Sequence, residues 1–330
     1  MPAPELSVVL TATESYAVIR KTMAHLARQT VAQEIELILV ARSREELAVP
    51  EEEVRPFLSW RVVELKVIQS IGSANAAGIR AASAPVVALA EDHCFPEPDW
   101  AERLLAAHAG PWAVVGPAVK NANPGSAVSW ADYFIGYGPW TWPCASREAE
   151  FLPGHNSSYK RDVLLSYGPE LERMLEAETV LHWDLRAKGH RLYLDAGVQA
   201  AHTNYSRWSV WLKVQYLGGR MFGGSRVAKA PVSRRLMYFA ASPLIPLIRL
   251  ARVTQTAIRA GLWGRWLYCL PALSIGLTLD GIGQAAGYLC GPGDSMQRLA
   301  PYEFCRVHNV NERDRREVFE IGRASCRERV

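Results

Sequence analysis

The sequence predicts an α/β fold: a mainly parallel sheet followed by an apolar helical extension. Over the first third of the 330 residues, short β-branched runs alternate with segments of helical pattern. Strands separated by helices of about ten or more residues are joined by right-handed crossovers, which place the strands parallel in one sheet. After about Arg234 the composition becomes strongly apolar, which indicates a separate helical region.

The predicted elements follow one another in a regular order. Strands are predicted at 6–11, 34–40, 61–67, 85–90 and 112–119, with two shorter ones at 191–194 and 198–202. Helices are predicted at 15–28, 73–82, 99–108 and 170–188. Ligands bind to parallel α/β sheets beyond the carboxyl ends of the strands. Because Glu91, Asp92 and His93 directly follow the strand at 85–90, we expect them at a ligand-binding edge.

Composition argues against several classes of protein. The 37 basic and 33 acidic residues are interleaved and leave a net charge of +4, without the basic stripe of a nucleic-acid binder. The six cysteines show no CxxC spacing, which argues against a disulfide framework or a cysteine zinc cluster and favours a reducing compartment. The first residues lack the pattern of a secretory signal.

The segment from Ser73 to Trp100, SANAAGIRAASAPVVALAEDHCFPEPDW, carries the most specific motif. An Ala/Asn/Gly-containing helix is followed by a hydrophobic strand, an acidic triplet and a Pro-x-Pro-x-Trp tail. An acidic pair after a strand is often only a helix cap or a solvated turn. The order of the flanking segments, however, resembles the acidic-motif region of family 2 glycosyltransferases with the Rossmann-like GT-A fold.

The resemblance implies a nucleotide-diphosphate-sugar donor and a divalent metal cofactor, Mn²⁺ or Mg²⁺. It places Glu91 where the family usually faces the ribose, Asp92 in the middle, and His93 where a metal-binding Asp usually stands. His202, at the end of a later strand, is a further candidate ligand, although a histidine there is often structural. The predicted metal ligands are therefore Asp92, His93 and His202, and imidazole suits Mn²⁺ better than Mg²⁺.

Further donor contacts are expected along the chain. The resemblance assigns the first strand and its loop to the nucleotide, while the second strand ends in VARS without the usual acidic residue, so the nucleobase stays open. Asn156 lies in a Gly-His-Asn segment that matches a donor-sugar motif, but an Asn there also suits a turn. Arg220 and Arg226, among glycines, suit a diphosphate or a solvated basic turn. The predicted donor-binding residues are Thr11, Thr13, Glu14, Ser73, Asn75, Glu91, Asp92, Asn156, Arg220 and Arg226.

The resemblance also implies a catalytic base. The family's base motif is an acidic pair that opens a helix ending in glycine; AETVLHWDLRAKGHRL, preceded by Glu176, resembles it, and the resemblance puts Glu178 at the base position. Acidic residues at a helix start also gain from the helix dipole without any catalytic role. Asp184, six residues later on another helical face, is a weaker candidate. The QxxRW motif of processive synthases is absent from the sequence, which favours transfer of a single sugar.

The C-terminal region predicts an association with a membrane. The apolar run at 237–250 is too short to cross a bilayer, whereas the one at 266–290 is long enough. Arg249, Arg252, Arg259 and Arg265 suit phosphate head groups, which favours an interfacial or re-entrant segment on the cytoplasmic face over a buried hairpin. We expect a catalytic domain at 1–230, an apolar helical segment at 231–295 and a tail at 296–319. Residues 320–330 resemble a translated sequencing adapter.

The predicted reaction is inverting, metal-assisted transfer of one sugar to a hydroxyl of a glycan or lipid-linked acceptor in cell-envelope glycan biosynthesis. Two other classes stay open. A nucleotidyltransferase uses a related sheet but needs a Gly-rich basic loop after the first strand, and TATESYAVIRK contains no glycine. A catalytically inactive membrane scaffold would tolerate the histidine at position 93.

Overall fold

A computed structural model describes residues 3–304 and 306–319. Its strands are β1 (Leu6–Ala12), β2 (Ile35–Ala41), β3 (Ser59–Glu64), β4 (Val86–Ala90), β5 (Cys94–Pro96), β6 (Trp112–Asn121), β7 (Arg147–Glu148), β8 (Ser158–Lys160) and β9 (Arg191–His202). Its α-helices are α1 (Tyr16–Ala27), α2 (Arg44–Leu47), α3 (Glu51–Val54), α4 (Ile71–Ala81), α5 (Trp100–His108), α6 (Ala127–Tyr137), α7 (Arg161–Leu165), α8 (Leu171–Leu175), α9 (Glu178–Ala187), α10 (Trp208–Arg226), α11 (Val232–Ala241), α12 (Ile245–Arg259), α13 (Trp263–Cys290), α14 (Ser295–Glu303) and α15 (Glu312–Asp314).

All nine strands belong to one sheet, in the order β3-β2-β1-β4-β8-β6-β9-β5, with β7 paired to β9. The long pairings are parallel: β3 with β2, β2 with β1, β1 with β4, and β6 with β9. The short strands β5, β7 and β8 pair antiparallel. The predicted α/β class with a mainly parallel sheet and a helical C-terminal region is confirmed.

The sheet is covered on both faces, as the alternation of its side chains requires. Along β1, Val8 and Leu10 pack into one core with α1 and α5, whereas Val9 packs into the other core with α4. All seven residues of β2 are buried, which is typical of a parallel strand covered by helices on both sides. This layered packing fixes the strand ends, and the loops that follow them, at one edge.

Two predicted elements differ from the structure. The two strands expected at 191–194 and 198–202 are one continuous strand, β9, with a register shift against β6 at Pro117 and Ala118. The helix expected at 170–188 is divided into α8 and α9, so that Glu178 opens a new helix. The short strands β5, β7 and β8 were not predicted because two or three residues carry no periodicity.

The glycine-containing segment GGRMFGGSR is helical and lies within α10, not in a flexible turn. Its glycines lie against α13: a Cβ at Gly219 would stand 2.3 Å from the Asp280 carbonyl oxygen, and one at Gly223 would stand 2.6 Å from that of Gln284. α13 contributes Gly283 and Gly287 to the same contact. Small residues therefore allow these two backbones to approach closely.

Two helical segments are long and apolar enough to cross a membrane, Val232–Arg259 and Trp263–Cys290. The first includes a 3₁₀ turn, Ser242–Leu244, between α11 and α12. The most apolar stretch of the first is mostly exposed, whereas half of that of the second is buried inside the protein. Among the four arginines predicted to face phosphate groups, Arg249 instead pairs with Asp280 and donates to the Ile135 carbonyl oxygen at 2.8 Å. Residues 320–330 lie outside the described residues.

Candidate active site

The candidate site lies at the carboxyl edge of the sheet, where several chain segments converge. β4 ends at Ala90 and is followed at once by Glu91, Asp92 and His93, while β9 ends at His202. The loop before the antiparallel strand β8 enters at the same edge and carries His155. A pocket at this edge is lined by Thr11, Ile71, Asn75, Leu89, Ala90, Glu91, Asp92, His93, Gly154, His155, Glu178, Glu303 and Phe304.

Six of the residues predicted from the sequence line this pocket. They come from four separate parts of the chain, namely β1, α4, the end of β4 and the start of α9: Thr11, Asn75, Glu91, Asp92, His93 and Glu178. The Thr11 hydroxyl is buried and finds no hydrogen-bond partner within the described residues. The pocket therefore brings the predicted base and the acidic triplet together.

Three histidines surround the Glu91 carboxylate. Glu91 Oε2 lies 3.4 Å from His93 Nε2, 3.7 Å from His155 Nδ1 and 3.6 Å from His202 Nε2. One potential ligand atom from each of Glu91, His155 and His202 lies within 4.8 Å of the others, so these residues could hold a metal ion. This group contains His202, one of the three predicted metal ligands, and adds Glu91 and His155, whereas the other two predicted ligands, Asp92 and His93, lie outside it.

Burial keeps the two innermost imidazoles uncharged. It lowers the pKa of His93 to about 3, and the nearby Arg306 guanidinium acts in the same direction. It also holds the pKa of His202 well below its usual range. A neutral imidazole has a lone pair on one ring nitrogen, which is the form that binds metal ions.

Glu176, between α8 and α9, and Glu178, the first residue of α9, have different surroundings. The Ser70 hydroxyl donates to Glu176, and a Cβ on Gly72 would collide with the Glu176 carboxylate, so Glu176 packs against the start of α4. Glu178 faces the pocket instead. Asp184 accepts from Tyr167 Oη at 2.6 Å and from Lys188, outside the pocket lining. The surroundings therefore support Glu178 over both other carboxylates as a candidate base.

The pKa of Glu178 is raised to about 7, first by burial and then by repulsion from Glu91, Glu176 and other carboxylates. A carboxylic acid with this pKa exchanges its proton near neutral pH, which suits a general base. Gly154 allows Glu178 to approach the loop, because a Cβ at Gly154 would stand 2.4 Å from the Glu178 carboxyl carbon.

Asn156 lies outside the pocket and helps to hold the pocket loop in position. Its backbone adopts a left-handed conformation with φ of 53°, its side chain is fully buried, and it does not line the pocket. The Trp100 indole donates to the backbone carbonyl oxygen of Asn156 at 3.1 Å, and the backbone N–H of Asn156 donates to the backbone carbonyl oxygen of Leu89 in β4. The tryptophan of the Pro-x-Pro-x-Trp tail therefore holds the His155 loop against the strand that ends in the acidic triplet.

Three other residues that were predicted to bind the nucleotide-sugar donor make contacts outside the pocket. Ser73 forms a capping box with Ser70 at the start of α4. Arg220 donates to the Gly291 carbonyl oxygen at 3.4 Å, and Arg226 lies over the Tyr238 ring, 4.5 Å from its centroid. None of the three lines the pocket.

The C-terminal segment, residues 295–304 and 306–319, returns to cover the site. The Thr13 hydroxyl donates to the Phe304 carbonyl oxygen at 3.3 Å, and Glu14 lies 3.3 Å from His308. Glu303 lines the pocket and accepts from the Tyr205 hydroxyl at 2.8 Å. Thr13 and Glu14 therefore contact this segment instead of the pocket interior.

Sequence reasoning missed His155, Glu303 and Phe304 as pocket residues. His155 stands inside the Gly-His-Asn segment, so an imidazole one position before a predicted site residue was an available signal. Glu303 and Phe304 follow the apolar helices and belong to no motif. Only the return of the chain brings them to the site.

Comparisons with known proteins find a family match and solved structures of similar fold. Residues 7–168 match the model of glycosyl transferase family 2. The chain is similar to the mannosyltransferase PcManGT from Pyrobaculum calidifontis, solved with GDP-Man and Mn²⁺, at 14% identity over 88% of each chain and a TM-score of 0.56. It is also similar to S. aureus TarS 1-349 solved with UDP or UDP-GlcNAc, at 16% and 12% identity over 86% of this chain and 91% of the other, with TM-scores of 0.48 and 0.49. No curated protein matches the chain by sequence.

Proposed function

We propose a specific reaction for this chain, which belongs to the family 2 glycosyltransferases through its domain at residues 7–168. The reaction is inverting transfer of a single sugar from a nucleotide-diphosphate sugar to a hydroxyl of a glycan or lipid-linked acceptor. The observation that carries the proposal is the position of Glu178, which lines the same pocket as Glu91, Asp92 and His93.

Inverting transfer requires a base for the acceptor hydroxyl and stabilisation of the departing diphosphate. Glu178, with a pKa of about 7, removes the proton from the acceptor hydroxyl. The residues around Glu91 fit a divalent cation, because Glu91, His155 and His202 present their ligand atoms close together. When bound, such a cation neutralises charge that develops on the diphosphate.

The donor nucleotide is proposed to lie along the same pocket. Thr11 on β1 and Asn75 on α4 are the polar residues that supply its contacts there, and Glu91 is expected to face the ribose. Ser73, Arg220 and Arg226 receive less support for this role, since each is engaged outside the pocket.

The proposal is tested by incubating the purified chain with a panel of nucleotide sugars and measuring the nucleoside diphosphate released. We expect slow hydrolysis of one donor, with faster release in extracts that contain membrane glycolipids. Release of pyrophosphate from a nucleoside triphosphate and a sugar phosphate would instead identify a nucleotidyltransferase. If no panel member is turned over or bound, the chain is a scaffold and the proposal is wrong.

The pH dependence of turnover provides a second prediction. Because Glu178 must be deprotonated to act as a base, kcat should rise with pH through an apparent pKa near 7 and level off above it. The measurement is the pH profile of kcat for the donor identified by the panel. In Glu178→Gln, the residual rate should lose this rise, whereas an unchanged profile would assign the titration to another group.

We further propose that the apolar C-terminal helices lie on the cytoplasmic face of a membrane. Among the described residues, the exposed large hydrophobic side chains lie between 232 and 289, with the exceptions of Val67, Trp142 and Trp208. Arg252 and Arg259 are exposed beside this apolar surface and suit anionic head groups. The combination is typical of an interfacial helix.

Flotation with vesicles of phosphatidylcholine and phosphatidylglycerol tests the membrane proposal. We expect the parent chain to float, and the double variant Leu247→Glu/Ile258→Glu to bind at least about tenfold more weakly, because it removes two exposed apolar side chains from the surface. Val67→Glu is the matched control, since Val67 is 71% exposed but lies outside the surface. If the parent stays at the bottom of the gradient, the helices form a hairpin that does not bind membranes.

A further inference from the structure

Glu303 brings a carboxylate to the pocket from outside the sheet. It is the last residue of α14 and lines the pocket together with Glu178. Its side chain is 31% exposed, so a ligand in the pocket can reach it. The proposed reaction leaves this carboxylate without a role, since Glu178 is the base and the cation fits beside Glu91.

Two side chains hold the Glu303 carboxylate in place. Tyr205 Oη donates to Oε1 at 2.8 Å, and Arg306 Nη2 donates to Oε2 at 2.7 Å. Each oxygen of a carboxylate can accept two hydrogen bonds. Within the described residues, one accepting position on each oxygen is therefore left for a ligand.

The two supporting side chains are themselves buried and fixed. Tyr205 is 2% exposed and Arg306 is 3% exposed, and the guanidinium carbon of Arg306 lies 3.6 Å from the centroid of the Tyr205 ring. The backbone N–H of Tyr205 donates to the Asp132 carboxylate at 3.0 Å, three residues after β9 ends at His202. A carboxylate with such supports selects its ligands by the positions of their hydrogen-bond donors.

The surroundings of Glu303 indicate the nucleotide end of the donor. The next residue, Phe304, also lines the pocket, and its carbonyl oxygen accepts from the Thr13 hydroxyl. Farther along the same segment, His308 lies 3.3 Å from Glu14. Thr13 and Glu14 belong to the loop after β1, which the resemblance assigns to the nucleotide. Glu303 is therefore next to the part of the chain that is expected to contact the nucleoside.

The chemistry of a carboxylate limits what Glu303 can bind. A carboxylate accepts hydrogen bonds and repels phosphate oxygens, so it suits hydroxyl groups and not the diphosphate. Two neighbouring hydroxyls, one on each oxygen, would fill both of its remaining positions. In dinucleotide-binding α/β folds, an Asp or Glu is the usual partner of a ribose hydroxyl. The ribose and the transferred sugar are the two parts of a donor that carry such a pair.

We infer that Glu303 is a specificity-determining residue that accepts hydrogen bonds from two vicinal hydroxyls of the donor. The contacts of the loop after β1 favour the ribose as their source. Tyr205 and Arg306 are positioning residues that act through Glu303. The inference deepens the proposed function and rests on it for the presence of a nucleotide-sugar donor in this pocket.

Isothermal titration calorimetry on the full-length chain tests the inference without any sugar transfer. In a buffer with Mn²⁺, the chain is titrated with ADP, CDP, GDP and UDP, and then with the 2′-deoxy, 3′-deoxy and glucose-linked forms of the nucleotide that binds best. We expect the parent to bind this ribonucleotide about tenfold more tightly than either deoxy form, as for the loss of a hydrogen bond to a charged group. Glu303→Gln removes the charge and one accepting oxygen, and should reduce the preference to less than about threefold.

A second arm distinguishes the two sources of the hydroxyl pair. If the parent binds the ribonucleotide and its deoxy forms equally well, but Glu303→Gln loses about tenfold in affinity for the glucose-linked nucleotide alone, the pair belongs to the transferred sugar. Tyr205→Phe removes only the hydroxyl that holds Oε1 and should reduce the same preference as Glu303→Gln. A residue that served only the stability of the fold would leave that preference unchanged.

Glu312→Gln is the matched control, because Glu312 is an exposed carboxylate of the same C-terminal segment and lies outside the pocket. It should bind every ligand like the parent, and circular dichroism should show that each variant is folded. If Glu303→Gln binds the ribonucleotide, its deoxy forms and the glucose-linked form as the parent does, the inference alone is overturned. A parent that binds none of the nucleotides would overturn the proposed function as well. A parent with the expected preference that turns over no donor would refute only the proposed reaction.

Discussion

Glu178→Gln should lower kcat by about 10²–10⁴-fold, the usual contribution of a positioned general base. The side-chain amide has nearly the shape of the carboxylate, but it cannot take up the proton of the acceptor hydroxyl. Because Glu178 is half-buried at the start of α9 and lines the pocket, the substitution changes the charge of the site without removing a core contact. Donor binding should therefore persist.

The measurement is kcat with the identified donor and acceptor, together with donor affinity by calorimetry. Asp184→Asn is the matched control, since Asp184 lies on the same helix but contacts Tyr167 and Lys188 outside the pocket. We expect this control to retain nearly full activity. Wild-type turnover in Glu178→Gln would remove the base assignment, and a similar loss in Asp184→Asn would show that the helix itself had been disturbed.

The carboxyl edge of the sheet was predictable because it follows from periodicity. Alternating strands and helices determine that β1 and β4 are parallel, and Glu91 to His93 follow β4 without a gap. The position of Glu178 was predictable for a similar reason, since Glu178 opens α9, which ends two residues before Gly189, where φ is 88°. In both cases a local pattern determines the position of the side chain.

Contacts between distant segments were not predictable in the same way. The position of His155 depends on the antiparallel strand β8, which has three residues and no hydrophobic period. Glu303 reaches the pocket only because α14 follows the two apolar helices back to the sheet edge. The sequence marks His155 only by its place beside Asn156, and it contains no local signal for the return of Glu303 to the pocket.

The glycine pattern of GGRMFGGSR is compatible with two different structures. Four glycines beside Arg220 and Arg226 suit a flexible phosphate-binding turn, but they suit a close helix contact equally well. The matching glycines Gly283 and Gly287 on α13 determine the outcome, since they place two helix backbones in contact. Because the partner lies about 60 residues away, the spacing within GGRMFGGSR did not reveal it.

Gly154→Ala should lower kcat by about 10²-fold while leaving the chain folded. The added Cβ would stand 2.4 Å from the Glu178 carboxyl carbon, which is closer than real contacts permit. The atom that it meets belongs to a flexible side chain, so the carboxylate moves and the backbone does not have to. Displacing a catalytic group by about 1 Å is enough to reduce the rate by this amount.

The control is Gly218→Ala in α10, where an added Cβ meets nothing within 4 Å. Both variants should unfold at temperatures close to that of the parent, but only Gly154→Ala should lose turnover. The double variant Gly154→Ala/Glu178→Gln gives the sharper result. If the methyl group acts by displacing the carboxylate, the double variant should be no slower than Glu178→Gln alone, because both changes remove the same interaction. Losses that multiply in the double variant would mean that Gly154 acts on the reaction independently of Glu178.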